Sequence, residues 1–158
     1  MVKIKRIRAA GRIPLELFEN IRRPDLKELM MGPLDPEEAV RQSINDSRYC
    51  YAVRDKDNRL LAVFGIGKAL VNVGGTTATP IWFLGTNWAY RHNKAMVFHG
   101  RQFCTRFIEE VGPLCNFIWA GNEPAIRYIQ HLGAALYDVA PMGKHGELFV
   151  PFLLSEVK

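Results

Sequence analysis

Met96, Val97, Gly100, Phe103, Cys104, Phe107, Ile108 and Val111 fall on one face at helical spacing, with charged and polar residues between them. The pattern predicts a long amphipathic helix over roughly Lys94–Val111, ended by Gly112-Pro113. The next segment, Leu114–Ala120, is almost continuously apolar, as a central strand covered on both faces should be. Asn122 then caps a short helix whose Ala125, Ile126, Ile129 and Leu132 face inward, and Gly133 closes it. Ile81–Thr86 supplies a strand ahead of the long helix. Strand, helix, strand, helix in this order predicts a parallel crossover, with any ligand site at the carboxyl ends of the strands.

The amino-terminal half reads differently. Val2–Arg8 alternates loosely and predicts a basic first strand. Leu15–Met31 is amphipathic but interrupted by Pro24, which predicts a bent helix or two short ones. Asp35-Pro36-Glu37-Glu38 is a helix start, and that helix should run to about Asp46. Tyr49–Arg54 and Leu60–Val73 form a predicted antiparallel hairpin around Asp55-Lys56-Asp57-Asn58. Gly65 and Gly67 predict a bulge or a close backbone approach, and Val73–Thr77 a second turn. Leu136–Val139 and Glu147–Leu154 close the chain as an antiparallel pair around the Pro141–Gly146 loop. The resulting class is α/β (α+β), with a mixed, mostly antiparallel sheet of about 6–7 strands, about 4 flanking helices and a parallel pair in the middle. One domain over residues 1–158 is expected.

Composition adds limits. Hydrophobic residues make up 48% and charged residues 23%, enough to bury a core without disulfides or metal. The three cysteines, Cys50, Cys104 and Cys115, lack paired spacing and read as buried thiols of a reducing compartment. No apolar run spans a bilayer and no secretory leader is visible, so the place of synthesis is expected to be a cytoplasm. The net charge of +5 is uneven, because Lys3, Lys5, Arg6, Arg8, Arg12, Arg22 and Arg23 crowd the start of the chain. Such a cluster is either a solvated face or a patch for nucleic acid, an acidic protein or a phosphate-bearing ligand. His92, His99, His131 and His145 have no metal-ligand spacing, so no metal is expected. Gly65-x-Gly67 and Gly74-Gly75 do not precede a helix as a phosphate loop does.

The order of elements, with Asn122-Glu123-Pro124-Ala125-Ile126-Arg127 and Leu132-Gly133, resembles the GNAT N-acyltransferase superfamily and its N-x-x-A helix. Trp82-Phe83-Leu84-Gly85-Thr86, an Arg- and His-bearing loop, the long helix and Arg127-Tyr128-Ile129 resemble a phage branch of that superfamily. Its members include internal-virion or ejection-type proteins labelled acetyltransferase-like. The resemblance implies acetyl-coenzyme A as cofactor and amines as acceptors if the chemistry is retained. It implies host-cell synthesis, then residence in a virion beside other virion proteins, if the phage branch holds.

The chemistry departs from the family pattern. The family's pyrophosphate loop, Q/R-x-x-G-x-G/A, aligns with Arg91-His92-Asn93-Lys94-Ala95-Met96, where Lys94 and Met96 replace small residues. Arg91 and Lys94 could attract phosphate, Asn93 could cap the helix, and Asn122 would lie beside the pantetheine arm if coenzyme A binds. The family's acid-supplying tyrosine falls at Ile129 here. Tyr128 is one position earlier, about 100° around the helix, and reads as a packing residue. Ile81–Thr86 carries no carboxylate. Tyr128 and His92 are the catalytic candidates, followed by His99, Tyr49, Tyr51, Asp138 and His145. Trp88 and Tyr90 are candidate contact residues for a partner or a groove. Two readings follow: a non-catalytic virion component without cofactor, and an N-acetyltransferase with an atypical loop. A nucleic-acid binder using the first strand is a third.

Overall fold

β1 (Val2–Arg6) pairs antiparallel with β2 (Tyr49–Asp55) at one edge of the sheet in a computed structural model that describes residues 1–158 throughout. Between them run α1 (Ile13–Asn20), α2 (Arg23–Met30) and α3 (Pro36–Asp46). Pro24 fits the first turn of α2, where its missing N–H costs nothing, so the interrupted segment resolves into two helices. Asp35 caps α3 through the Glu38 amide.

β3 (Leu60–Ile66) continues the meander, followed by β4 (Val71–Val73) and β5 (Thr76–Gly85). A short 3-10 turn (Asn87–His92) leads into α4 (Asn93–Val111), then β6 (Leu114–Trp119) and α5 (Glu123–Leu132). β7 (Ala135–Leu136), β8 (Ala140–Pro141) and β9 (Leu148–Leu154) complete the chain. The strand order is β1-β2-β3-β5-β6-β9-β7, with β4 on β5 and β8 on β9. All pairs are antiparallel except β5–β6.

Three expectations change in detail. The sheet has nine strands and the chain five α-helices, because the Pro24 break yields two helices, Leu60–Val73 is subdivided, and the predicted strand Leu136–Val139 is replaced by two two-residue strands, Ala135–Leu136 and Ala140–Pro141, with Tyr137–Val139 in neither. Leu60–Val73 is not one strand: it stops at Ile66 and resumes at Val71. Gly65 sits where an added Cβ would meet the Tyr49 carbonyl and the Ser47 and Trp82 side chains, the close approach its position predicted. β5 begins at Thr76 rather than Ile81, because its first residues pair with β4.

Side chains alternate to the two faces of the sheet, so there are two principal cores. Val53, Ala62, Phe64 and Ile66 pack with Met96, Cys104 and Phe107 of α4 and with Ile129 and Leu132 of α5. Cys50, Ala52, Val63 and Leu84 pack on the other face with Leu17 of α1 and Val40 and Ile44 of α3. The fully buried Leu17, Leu61, Leu114 and Leu132 each contribute about 1.5–3 kcal/mol of burial free energy. All three cysteines are buried and unpaired, and burial pushes Cys50 and Cys104 up to about 12, which makes them packing groups rather than nucleophiles. No helix is long and apolar enough to cross a membrane.

Candidate functional site

The parallel pair holds the site. β5 and β6 pair only at Thr79↔Leu114 and Pro80↔Cys115, and beyond that their carboxyl ends separate. Two local features favour the split. Pro80 brings no N–H to a ladder, and the Asn116 side chain reaches across to donate to the Ile81 carbonyl at 2.6 Å. Parted strands leave main-chain donors that need partners.

α2 supplies those partners. The Gly85 N–H, at the end of β5, donates to Asp25 Oδ2 at 2.8 Å. The Trp119 N–H, at the end of β6, donates to Glu28 Oε1 at 2.8 Å. Asn122 Nδ2 reaches both carboxylates, at 3.0 Å to Asp25 Oδ1 and 3.3 Å to Glu28 Oε1. Arg22 completes the group: its N–H donates to the Gly85 carbonyl at 2.9 Å, and its guanidinium donates to both Asp25 oxygens at 2.9 and 3.2 Å. The Arg22 and Asp25 side chains are only 8% and 2% exposed, so this is a buried ion pair. A Cβ on Gly85 would lie 2.7 Å from Arg22 Nε, so glycine is what admits the guanidinium here. Arg22 therefore leaves the predicted amino-terminal basic cluster: it is paired and buried, whereas Lys3, Lys5, Arg6, Arg8, Arg12 and Arg23 are exposed.

Glu28 is half-buried as a residue, and its carboxyl is raised from the ordinary range to about 7. Loss of hydration is the main cause, and the nearby Asp25 adds to it. The Trp119 N–H, the Asn122 amide and Arg22 act in the opposite sense. Beside Glu28 lies a cavity of about 180 Å³, lined mainly by apolar side chains of β5, α4, β6 and α5, including Ile81, Phe83, Met96, Phe103 and Ile118.

The sequence-nominated residues fall around this split in two groups. Asn122 is buried and does both jobs open to it: its Oδ1 caps α5 through the Ala125 amide at 3.4 Å, and its Nδ2 binds the α2 carboxylates. Tyr128 points into α4, where its hydroxyl donates to the Met96 carbonyl at 2.8 Å and its ring packs on Phe83 at 5.4 Å. Burial pushes its phenol far above the usual range. Gly100 is required opposite it, since a Cβ there would collide with the Tyr128 hydroxyl. Tyr128 is thus a strut between α5 and α4. Tyr128→Phe should lower stability by about 1 kcal/mol, the usual net value of one such bond; equal urea midpoints for the two proteins would contradict the strut.

The second group lies at the amino end of α4. His92 occupies the cap position, half-buried, with no side-chain capping bond. Asn93 is the first helical residue and not the cap, because the preceding 3-10 turn delivers the chain one residue earlier than the pattern suggested. Arg91 and Lys94 are exposed. Trp88 is half-buried, with Arg59 at 4.2 Å and Arg91 at 5.1 Å from its ring. Tyr90 is exposed, with Arg22 5.6 Å from its ring. His99 lines the cavity. Tyr49 donates to Glu110, and Tyr51 packs in the aromatic cluster with Phe64 and Phe103, whose rings line the cavity. Asp138 and His145 are exposed on the closing loops. No group of His, Cys, Asp or Glu is arranged to hold a metal ion.

Asp25 and Glu28, central to the site, were not singled out by the sequence. They sit on a short helix whose acidic residues look like ordinary surface positions, and their partners lie 60 and 91 residues away.

A seven-strand path with one parallel pair split at its carboxyl ends defines the GNAT N-acetyltransferase fold. Solved structures with this fold include a polyamine N-acetyltransferase from Drosophila melanogaster, with TM-score 0.66, 12% identity, and coverage of 99% of this chain and 100% of that one. A GNAT-family acetyltransferase from Bacillus anthracis gives 0.65, 12%, 99% and 94%. The ribosomal-protein-S18-alanine N-acetyltransferase from Escherichia coli gives 0.60, 11%, 100% and 97%. Within that fold, the chain belongs to the family described as "Bacteriophage T7, probable scaffold protein Gp13", which residues 61–139, half of the sequence, match. No curated protein matches it by sequence.

Proposed function

We propose that this protein is a non-catalytic component of phage assembly or of the virion, in which the GNAT frame serves as a scaffold for other virion proteins. The observation that carries this reading is the occupation of both strand-end donors, Gly85 N–H and Trp119 N–H, by the carboxylates of α2. A ligand at the carboxyl ends of these strands, where folds of this kind bind theirs, would need such main-chain donors free. Here side chains of the same chain satisfy both donors, and no buried side-chain polar atom is left without a partner. The loop at the start of α4 supports the reading too, with buried Met96 and exposed Lys94 at the two positions where the family places small residues. Tyr128 is fastened to Met96 rather than free to protonate a leaving thiolate. The family description supports the phage context and the scaffold role. Synthesis in the host cytoplasm followed by incorporation into a particle fits that role.

One observation favours the alternative, an acetyl-coenzyme A-dependent N-acetyltransferase with an atypical pyrophosphate loop. Glu28, held at about 7 beside an apolar cavity, has the proton affinity of a general base at neutral pH. On that reading Arg91, Asn93, Lys94 and Asn122 would hold the cofactor.

Calorimetry with acetyl-coenzyme A near millimolar concentration separates the two. The scaffold reading expects no saturable heat. Saturable binding that Lys94→Glu abolishes would overturn it in favour of the enzyme.

A further inference from the structure

The two edges of the sheet are finished differently. At one end, the outer side of β9 is covered by β7 and β8, each only two residues long. At the other, β1 is a five-residue strand paired on one side alone. The Ile7 N–H donates to the Cys50 carbonyl, and the register continues through Lys5↔Ala52 and Lys3↔Arg54. In an antiparallel ladder this turns the main chains of Lys3 and Lys5 toward β2 and those of Val2, Ile4 and Arg6 outward. Three N–H and three C=O groups therefore face away from the sheet as a ready template for another strand.

The side chains of β1 specify what that strand should be. Lys3 and Lys5 project on one face, exposed, with no carboxylate in ion-pair reach. Val2 and Ile4 project on the other, half-buried against the α4-side core. Arg6 is exposed at the end of the strand and lies over the Tyr49 ring. We infer that the β1 edge is a docking site for an extended, alternating acidic and apolar segment of a partner protein, added as a further antiparallel or parallel strand. Acidic residues of the segment would stand opposite Lys3 and Lys5 and its apolar residues would extend the row of Val2 and Ile4.

Charge sign selects among occupants. A second copy of this edge would set lysine against lysine, which is how such edges avoid pairing with themselves. A nucleic acid would meet the lysines and its phosphates could accept from an N–H, but it could match neither the alternating N–H and C=O ladder nor the apolar row. This inference is independent of whether the split between β5 and β6 is catalytic.

The test is calorimetry on the full-length chain with a nine-residue, end-capped peptide alternating valine and aspartate. Saturable binding is expected, weakening as salt rises. Lys3→Glu with Lys5→Glu should weaken it at least tenfold through charge. Arg6→Pro removes one outward N–H without touching a bond to β2, and should weaken it comparably. Unchanged melting temperatures confirm that both variants are folded; if Arg6→Pro is not, the lysine pair decides. A peptide in which lysine replaces aspartate should not bind. Absence of binding by the aspartate peptide, or binding that neither variant alters, overturns the inference. So does salt-sensitive binding of duplex DNA that the lysine pair abolishes while the aspartate peptide is ignored.

Discussion

Asp25→Ala lowers the melting temperature by roughly 10–15 °C, the shift expected when removal of one partner of a buried ion pair costs about 3–5 kcal/mol in a chain of this size. The cost has three sources. The Arg22 guanidinium stays buried without its counter-charge, its side chain being 8% exposed. The Gly85 N–H loses its acceptor at the end of β5, and Asn122 loses one of two. Arg22→Met combined with Asp25→Leu should recover only part of the loss. Replacing both charges by apolar groups removes the stranded cation but leaves Gly85 and Asn122 unsatisfied. Thermal melts of the wild type, the single variant and the double variant check both statements. A drop below about 3 °C for Asp25→Ala, on the scale of an exposed salt bridge, would remove this cluster from its structural role.

The neighbouring carboxylate has the opposite sign. Glu28→Gln stabilises the protein at pH 8 by on the order of 3 kcal/mol, from a proton affinity raised from 4.5 to about 7. Because the folded state holds this proton more tightly than the unfolded chain, Glu28 leaves stability undiminished below pH 4.5. Its contribution falls as pH rises between 4.5 and 7, and the full cost is present above 7. Glutamine keeps the carbonyl that accepts from Trp119 and Asn122 and carries no charge to bury. The gain should thus shrink toward zero at pH 4.5, as read from urea midpoints of both proteins at pH 4.5, 6 and 8. A difference that does not vary with pH would mean that packing, not ionisation, separates the two.

Much of the frame was legible in the chain because its signals are local. Asp35-Pro36 starts α3 and Asn122 starts α5 through contacts three residues long. Gly112 and Gly133 end their helices with φ of 85° and 110°, conformations that glycine adopts freely. The displacement of Tyr128 from position 129 was readable once the chain was set against the family pattern it resembles, and the hydroxyl does point into α4. The split was not readable. Its parts are Asp25, Glu28, Gly85, Trp119 and Asn122, which come together only after the sheet has formed. Nothing in the short α2 marks two acidic residues as internal. Strand limits failed for a related reason: whether Thr76–Pro80 belongs to a turn or to β5 is decided by its pairing with β4 and β6, not by its own residues.

The sheet is joined across its middle by just two residue pairs, Thr79–Leu114 and Pro80–Cys115. β1, β2, β3 and β5 lie on one side of that joint, β6, β9 and β7 on the other. The two halves therefore share little main-chain pairing, and side chains hold them together: the α2 clasp on the open side, and the apolar core of α4 and α5, which packs on β2 and β3 of one half and on β6 and β9 of the other.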